Sequence, residues 1–216
     1  LKKKKNSKIS KLVSNKSNLV GCRIPSNKLA NKLITSFDMP IAAPSANLSE
    51  RTSVTNIMDI DPILEKKIFV LKDKQSTHGL ESTVVRIDKN NRIEVLRYGS
   101  ITVEDLNKFA KVKIKKKSSI SPGNLKKHYS TIKPIRMNAK KILKDEGLLN
   151  FGNNKLKSNI INLNLSNKKN LNEAAKNFYH FLHKLDQSKC KKIAVAEIPN
   201  KGLGKTINDR LRRAVK

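Results

Sequence analysis

Apolar positions along this chain fall into short runs and one-sided stripes, separated by stretches rich in lysine and asparagine. Leu19-Val-Gly-Cys-Arg-Ile24 reads as a short buried strand. Ser26 is placed to cap a helix whose Leu29, Leu33, Ile34 and Phe37 recur at helical spacing on one face. Pro40-Ile-Ala-Ala-Pro44 is apolar throughout and predicts a second strand, ending at Ser45-Ala-Asn47. A helical pattern covers 55–65, and strands are expected at Ile68-Phe-Val-Leu71 and Ser82-Thr-Val-Val-Arg-Ile87. Lys89-Asn-Asn91 predicts a hairpin turn into Arg92-Ile-Glu-Val-Leu-Arg97. Thr102 is an N-cap, with Glu104 and Asp105 in the first turn to suit the helix dipole.

The pattern breaks at Lys111. Residues 111–121 hold five lysines and three serines and run into Pro122-Gly123, with little that could pack. Beyond this stretch the order becomes β-β-α-β-α. Leu148-Leu-Asn-Phe151 and Ile160-Ile-Asn-Leu-Asn-Leu165 read as strands, and 171–185 as a helix burying Ala174, Ala175, Phe178, Phe181, Leu182 and Leu185. Ile193-Ala-Val-Ala196 has the continuous apolar character of a parallel strand covered on both faces. A last helix follows over 206–215. The fold class is therefore α/β, in three parts: a first domain over 1–110, a linker over 111–135 and a small three-layer α/β domain over 136–216.

Composition narrows the class. Of 216 residues, 61 are Leu, Ile, Val or Phe, enough for real cores and above the level of a disordered chain. No apolar run approaches the length of a membrane span, so no membrane association is expected. Two distant cysteines, Cys22 and Cys190, exclude a disulfide scaffold and fit a reducing, cytoplasmic setting. The formal charge of +30 invites a polyanion partner, tRNA or double-stranded RNA among them. Yet only nine of the 47 basic residues are Arg, and Asn reaches 24, which compositional drift toward Lys and Asn explains equally well. The chain opens on Leu1 and runs into Lys2-Lys-Lys-Lys5, without the pattern of a transit or signal peptide. The expectation is that it begins inside a longer protein.

Several residues can carry chemistry. Ser45 and Asn47 follow an apolar strand, where open α/β sheets place ligands, although the same pair also suits a plain turn. His78-Gly-Leu-Glu-Ser82 lacks the glycines of a nucleophile elbow, so Ser82 reads as a binding hydroxyl at a strand start. Arg23 and Arg97 stand at strand ends and can fork onto a carboxylate or phosphate; a surface ion pair is the plainer use, with Glu81 a partner for one of them. Gly202-Leu-Gly204 lacks the third glycine of a phosphate loop and reads as a helix entry. His180 and His183 lie three apart without a completing ligand, and no protein-bound metal is expected.

Taken in order, these segments resemble the threonylcarbamoyl-AMP synthase family, whose catalytic unit is a YrdC-type domain. The resemblance rests on Val20-Gly-Cys-Arg23-Ile-Pro25, Pro40-Ile-Ala-Ala-Pro-Ser-Ala-Asn-Leu-Ser49, Gly79-Leu-Glu-Ser-Thr-Val-Val85 and Val95-Leu-Arg97-Tyr-Gly99. Ser121-Pro-Gly123 with His128-Tyr129 continues it, and Asn208-Asp-Arg-Leu-Arg-Arg-Ala214 looks like the end of the additional domain of the longer form. It implies the C-terminal half of a YrdC-type twisted α/β domain, a linker, then a small Rossmann-like domain. It also implies an enzyme joining L-threonine, bicarbonate and ATP, with Mg2+, into threonylcarbamoyl-AMP and pyrophosphate. The product would pass to the tRNA threonylcarbamoyl-transfer machinery.

By the same resemblance Arg23 pairs with the threonine carboxylate, Ala43 lines that site through its backbone and Ser82 bonds the threonyl part. Ser45, Asn47 and Ser53 contact the nucleotide, Arg97 faces its phosphates, and Tyr129 folds over as a lid. The family's phosphate-gripping Lys-x-Arg segment would precede Leu1, so about 90–100 residues of a family member are expected to be missing, judged against the usual domain size. Arg86 stands where the family has aspartate, Glu50 and Thr52 replace a glycine and a proline, and Asn124 replaces a methionine. The alternative is a non-catalytic, basic RNA-binding α/β module.

Overall fold

The computed structural model describes residues 1–14, 17–48, 51–73, 76–114 and 130–215. It divides into two units, Leu1–Ser45 and Ala46–Lys216.

The first unit is built on one helix, α1 (Lys28–Phe37). Asn27, one residue later than the expected Ser26, caps it: its Oδ1 accepts from the Ala30 N–H at 2.8 Å. Asp38 ends the helix in the left-handed conformation, its N–H donated to the Ile34 carbonyl. The two expected strands do not form. Residues 20–24 and 40–44 belong to no strand or helix, and Ile24 is 92% exposed. A strand exists only with a partner for its N–H and C=O groups, and the described residues of this unit supply a single antiparallel bridge, Lys2 to Leu19. Apolar periodicity alone could not reveal that.

The second unit contains two sheets. β1 (Val84–Ile87) and β2 (Ile93–Arg97) form the expected hairpin. Asn91 takes φ +53° in the turn, and the Asp88 carboxylate accepts from the N–H groups of Asn90 and Arg92. Arg86 lies directly opposite Glu94 and forms a cross-strand ion pair with it. β3 (Val112–Ile114) adds to β2 in parallel, so the first residues of the expected linker are a strand. The expected helix over 55–65 is split into a 3-10 turn (Ile57–Asp59) and α2 (Pro62–Glu65). Pro62 forces the residue before it out of helical geometry, and Asp61 takes ψ 129° as the N-cap of α2. Leu71 and the 89% exposed Phe69 lie outside any strand. Thr102 caps α3 (Val103–Leu106) in a reciprocal capping box with Asp105.

The second sheet is wholly parallel, in the order β4-β7-β5-β6, from β4 (Ile135–Arg136), β5 (Glu146–Asn150), β6 (Asn162–Asn164) and β7 (Lys192–Val195). The expected strands at 148–151, 160–165 and 193–196 all appear. Only two-residue β4 has no counterpart in the apolar pattern. All five residues of β5 are buried, as a central parallel strand requires. α4 (Leu171–Gln187) and α5 (Leu203–Ala214) supply the rest of the core, Phe178, Tyr179, Leu182, Leu185, Ile207 and Leu211 all being almost wholly shielded. Each such side chain contributes about 1.5–3 kcal/mol by leaving water. α5 begins directly after Gly202, so Gly202-Leu-Gly204 is the helix entry expected. The end of the expected linker is held rather than loose: the N–H groups of Ile132 and Lys133 donate to the Asp186 carboxylate.

Candidate functional site

Polar groups of the second unit converge on Glu81. Its segment runs close against α4 because Gly79 has no side chain: φ there is +64°, and a Cβ would fall 2.2 Å from the Ala175 carbonyl oxygen. The Oε1 of Glu81 accepts from Ser53 Oγ at 2.5 Å and from Tyr179 OH at 2.7 Å, and Oε2 accepts from Arg210 Nε at 2.9 Å. The Arg210 side chain is fully buried. It donates again to the Tyr98 carbonyl at 2.6 Å and to the Asp209 carboxylate at 2.5 Å. Burial pushes the Glu81 carboxyl up, but the Arg210 charge and the donors around it outweigh that, and the group titrates below the ordinary carboxylate range. Glu81 is thus a fixed anion at neutral pH.

Two helices of the C-terminal segment hold this cluster. From α4, His180 Nδ1 lies 2.9 Å from Asp59 Oδ2, and His183 Nε2 lies 3.1 Å from Thr52 Oγ1 and 3.3 Å from the Ser53 carbonyl. From α5, Thr206 donates to the Gly99 carbonyl at 3.0 Å. The histidine pair therefore has structural partners on 52–59. Among the described residues no group of three or more His, Cys, Asp or Glu is arranged to hold a metal ion. No helix among them is long and apolar enough to cross a membrane.

Of the residues singled out in the sequence, Ser53, Ser82 and Arg97 are brought together. Ser53 bonds Glu81, Ser82 follows Glu81 in the chain, and Arg97 Nη2 donates to the Ser82 carbonyl at 2.8 Å. Asn47 is in the same unit and braces its own turn, Nδ2 donating to the carbonyls of Leu48 (2.9 Å) and Arg51 (3.0 Å). Arg23, Ala43 and Ser45 belong to the first unit, and each is exposed. Tyr129 lies outside the described residues, as do His128 and Ser121-Pro-Gly123.

One expectation changes: Glu81 was a candidate partner for Arg23 or Arg97, and its ion pair is with Arg210. Arg210, Tyr179 and His183 were not foreseen as parts of the site. A signal for Arg210 was available. Ile207, Arg210, Leu211 and Ala214 recur at i, i+3, i+4 and i+7, which puts an arginine on the apolar stripe of α5.

A hairpin sheet clamped by a parallel α/β segment, with serine hydroxyls and an arginine around a partly buried carboxylate, defines a two-part α/β protein with a polar site at strand ends. A family model described as "Telomere recombination" matches residues 1–99, and one described as "Threonylcarbamoyl-AMP synthase, C-terminal domain" matches 101–215, more than half the chain. The chain belongs to the threonylcarbamoyl-AMP synthase family. It is 26% identical over 223 residues to the threonylcarbamoyl-AMP synthase of Pyrococcus abyssi, covering 90% of this chain and 63% of that one. It is 35% identical over 124 residues to that of Bacillus subtilis, covering 54% of this chain and 36% of the other. The crystal structure of P. abyssi Sua5 complexed with L-threonine superposes with a TM-score of 0.80 at 22% identity, over 95% of this chain and 66% of that chain, a likeness of fold. The chain thus spans about two thirds, or less, of the relatives it matches.

Proposed function

We propose that this chain serves the synthesis of threonylcarbamoyl-AMP from L-threonine, bicarbonate and ATP, the ATP entering as its magnesium salt and pyrophosphate and water leaving. The carrying observation is the assembly of Ser53, Ser82 and Arg97 around Glu81 in a chain of this family. The threonine carboxylate, bicarbonate and the ATP phosphates are all anionic, so the site must supply positive charge and neutral donors and needs no protein nucleophile. In this reading Arg23 neutralises the threonine carboxylate, the Ala43 backbone lines the amino-acid site and Ser82 orients the threonyl part. Arg97 offsets phosphate charge, while Ser45, Asn47 and Ser53 receive the nucleotide and Tyr129 closes over it. Ser53 already donates its proton to Glu81, so toward a nucleotide it offers an acceptor, suited to a ribose hydroxyl. The product would be handed in the cytoplasm to the machinery that modifies tRNA adenosine. The family match favours this reading over a non-catalytic RNA-binding module.

The test is pyrophosphate release that requires both L-threonine and bicarbonate. Ser82→Ala should raise the threonine KM about tenfold, the worth of one hydrogen bond to a charged or polar ligand. Calorimetry that detects no threonine binding in the presence of ATP, in this chain and in a fusion carrying the N-terminal segment of a family relative, would sink the proposal.

A further inference from the structure

The parallel sheet reverses its direction of growth between β5 and β7. From β5 the chain steps outward to β6, then returns to fill the place between β5 and β4. Loops leaving adjacent strands at such a point diverge, and the crevice beyond their carboxyl ends is where open α/β sheets hold ligands. A cleft of ≈ 820 Å³ lies there, walled by residues after β4 (139–142), after β5 (151–157) and after β7 (196–199). That volume suits a ligand of nucleotide size, within the usual range of about 300–1,000 Å³. It shares no residue with the Glu81 cluster.

Five lysines line it, Lys140, Lys141, Lys155, Lys157 and Lys169, against a single carboxylate, Glu197. Among the described residues none of the five takes part in an ion pair, so their charge faces the cleft and solvent uncompensated. The walls are built rather than loose. Asn150, buried at the end of β5, accepts through Oδ1 from the Phe151 N–H (2.8 Å) and from Asn154 Nδ2 (2.7 Å). Gly152 takes φ +78° and donates its N–H to the Ser166 carbonyl at 2.8 Å. The stem of Lys169 lies against it so closely that a Cβ on Gly152 would come within 2.7 Å of Lys169 Cγ and Cε. Lys169 is thereby laid along the wall in a fixed direction. Phe151, Leu156, Ala196 and Pro199 give the same cleft apolar surface.

We infer that this cleft binds a small phosphate-bearing ligand with a flat apolar moiety, a nucleotide being the class that fits. The lysines take the phosphates as point charges, the apolar wall takes the base, and Glu197 is placed for a sugar hydroxyl. The inference does not rest on the synthase reading.

The experiment titrates ADP into the whole chain and follows backbone amide NMR signals. Saturable shifts are expected at 152–157 and at Glu197, half-complete below about 1 mM. The Lys155→Ser/Lys169→Ser double variant, with unchanged circular dichroism, should lose affinity at these amides tenfold or more. Three results would overturn the inference: no saturable shift at these amides, the same shifts at the same concentrations of inorganic sulfate, or shifts produced by a short RNA oligonucleotide and not by ADP. ADP binding elsewhere in the chain leaves the assay readable, because it moves other amides.

Discussion

Replacing Arg210 by methionine keeps a long unbranched side chain in the core but removes the charge that Glu81 faces. The Glu81 carboxylate, 18% exposed, would keep Ser53 and Tyr179 as donors and lose its guanidinium, while the Tyr98 carbonyl would lose a donor. Asp209 would keep Arg213 at 2.9 Å. Stripping a buried charge of its counter-ion costs about 3–5 kcal/mol, and the two surviving donors place Arg210→Met near the lower end, about 3 kcal/mol. Glu81→Gln leaves Arg210 beside Asp209 and should cost less, about 2 kcal/mol. If the two groups stabilise each other, the double variant will fall short of the summed loss by at least about 1 kcal/mol. With no tryptophan in the chain, urea unfolding followed by far-ultraviolet circular dichroism is the assay, the midpoint falling at unchanged slope. The pH dependence carries its own sign. The folded-state pKa of Glu81 is lowered, so its contribution is complete above the unfolded-state carboxylate pKa and is lost as pH falls through the folded value. Glu81→Gln should flatten that acid limb. Strictly additive single variants, or an acid limb unchanged in Glu81→Gln, would refute the reasoning.

Three further outcomes are expected. Gly79→Ala should destabilise by about 3 kcal/mol or more, since the backbone must leave a left-handed conformation and a Cβ would meet the α4 backbone; thermal unfolding with an unchanged midpoint would contradict this. The Asp105 carboxyl is held down to about 2, first by the Thr102 hydroxyl and then by Lys108, so Thr102→Ala should move its carboxyl NMR titration upward. Glu146, buried, is held below the ordinary range chiefly by Arg136, whose Nε and Nη2 donate at 2.9 and 2.6 Å. Its stabilisation is present at neutral pH and lost as pH falls through that lowered pKa, so Glu146→Gln should be less stable at neutral pH and flatter toward acid in denaturant midpoints.

Much of the second unit was legible because its elements satisfy their own local rules. The 88–91 turn, the Thr102 cap, the apolar face of α4 and the continuous burial of Ile193-Ala-Val-Ala196 each follow from residue types at fixed spacing. The misses have local causes too. Pro62 divided a helix, and two residues were too few to mark β4 as a strand. In the first unit, the apolar run at 19–24 met only the Lys2–Leu19 bridge and the run at 40–44 no described ladder partner, so neither became a strand. The site was legible only in part. Ser53, Ser82 and Arg97 stand in motifs, whereas Arg210 and Tyr179 come from helices about 100 residues or more further along and join only when those helices pack.

The sequence by itself determined the α/β class, the hairpin, the order of strands and helices that follows β4 and the family signature, because each depends on short-range periodicity or on residues a few positions apart. Tertiary structure alone decided that Glu81 pairs with Arg210, that His180 and His183 serve 52–59, and that five lysines from separate segments ring one cleft. Charge pairing and cleft walls depend on distances across the fold, and a lysine or arginine reads the same in the chain whether it ends in solvent or in the core.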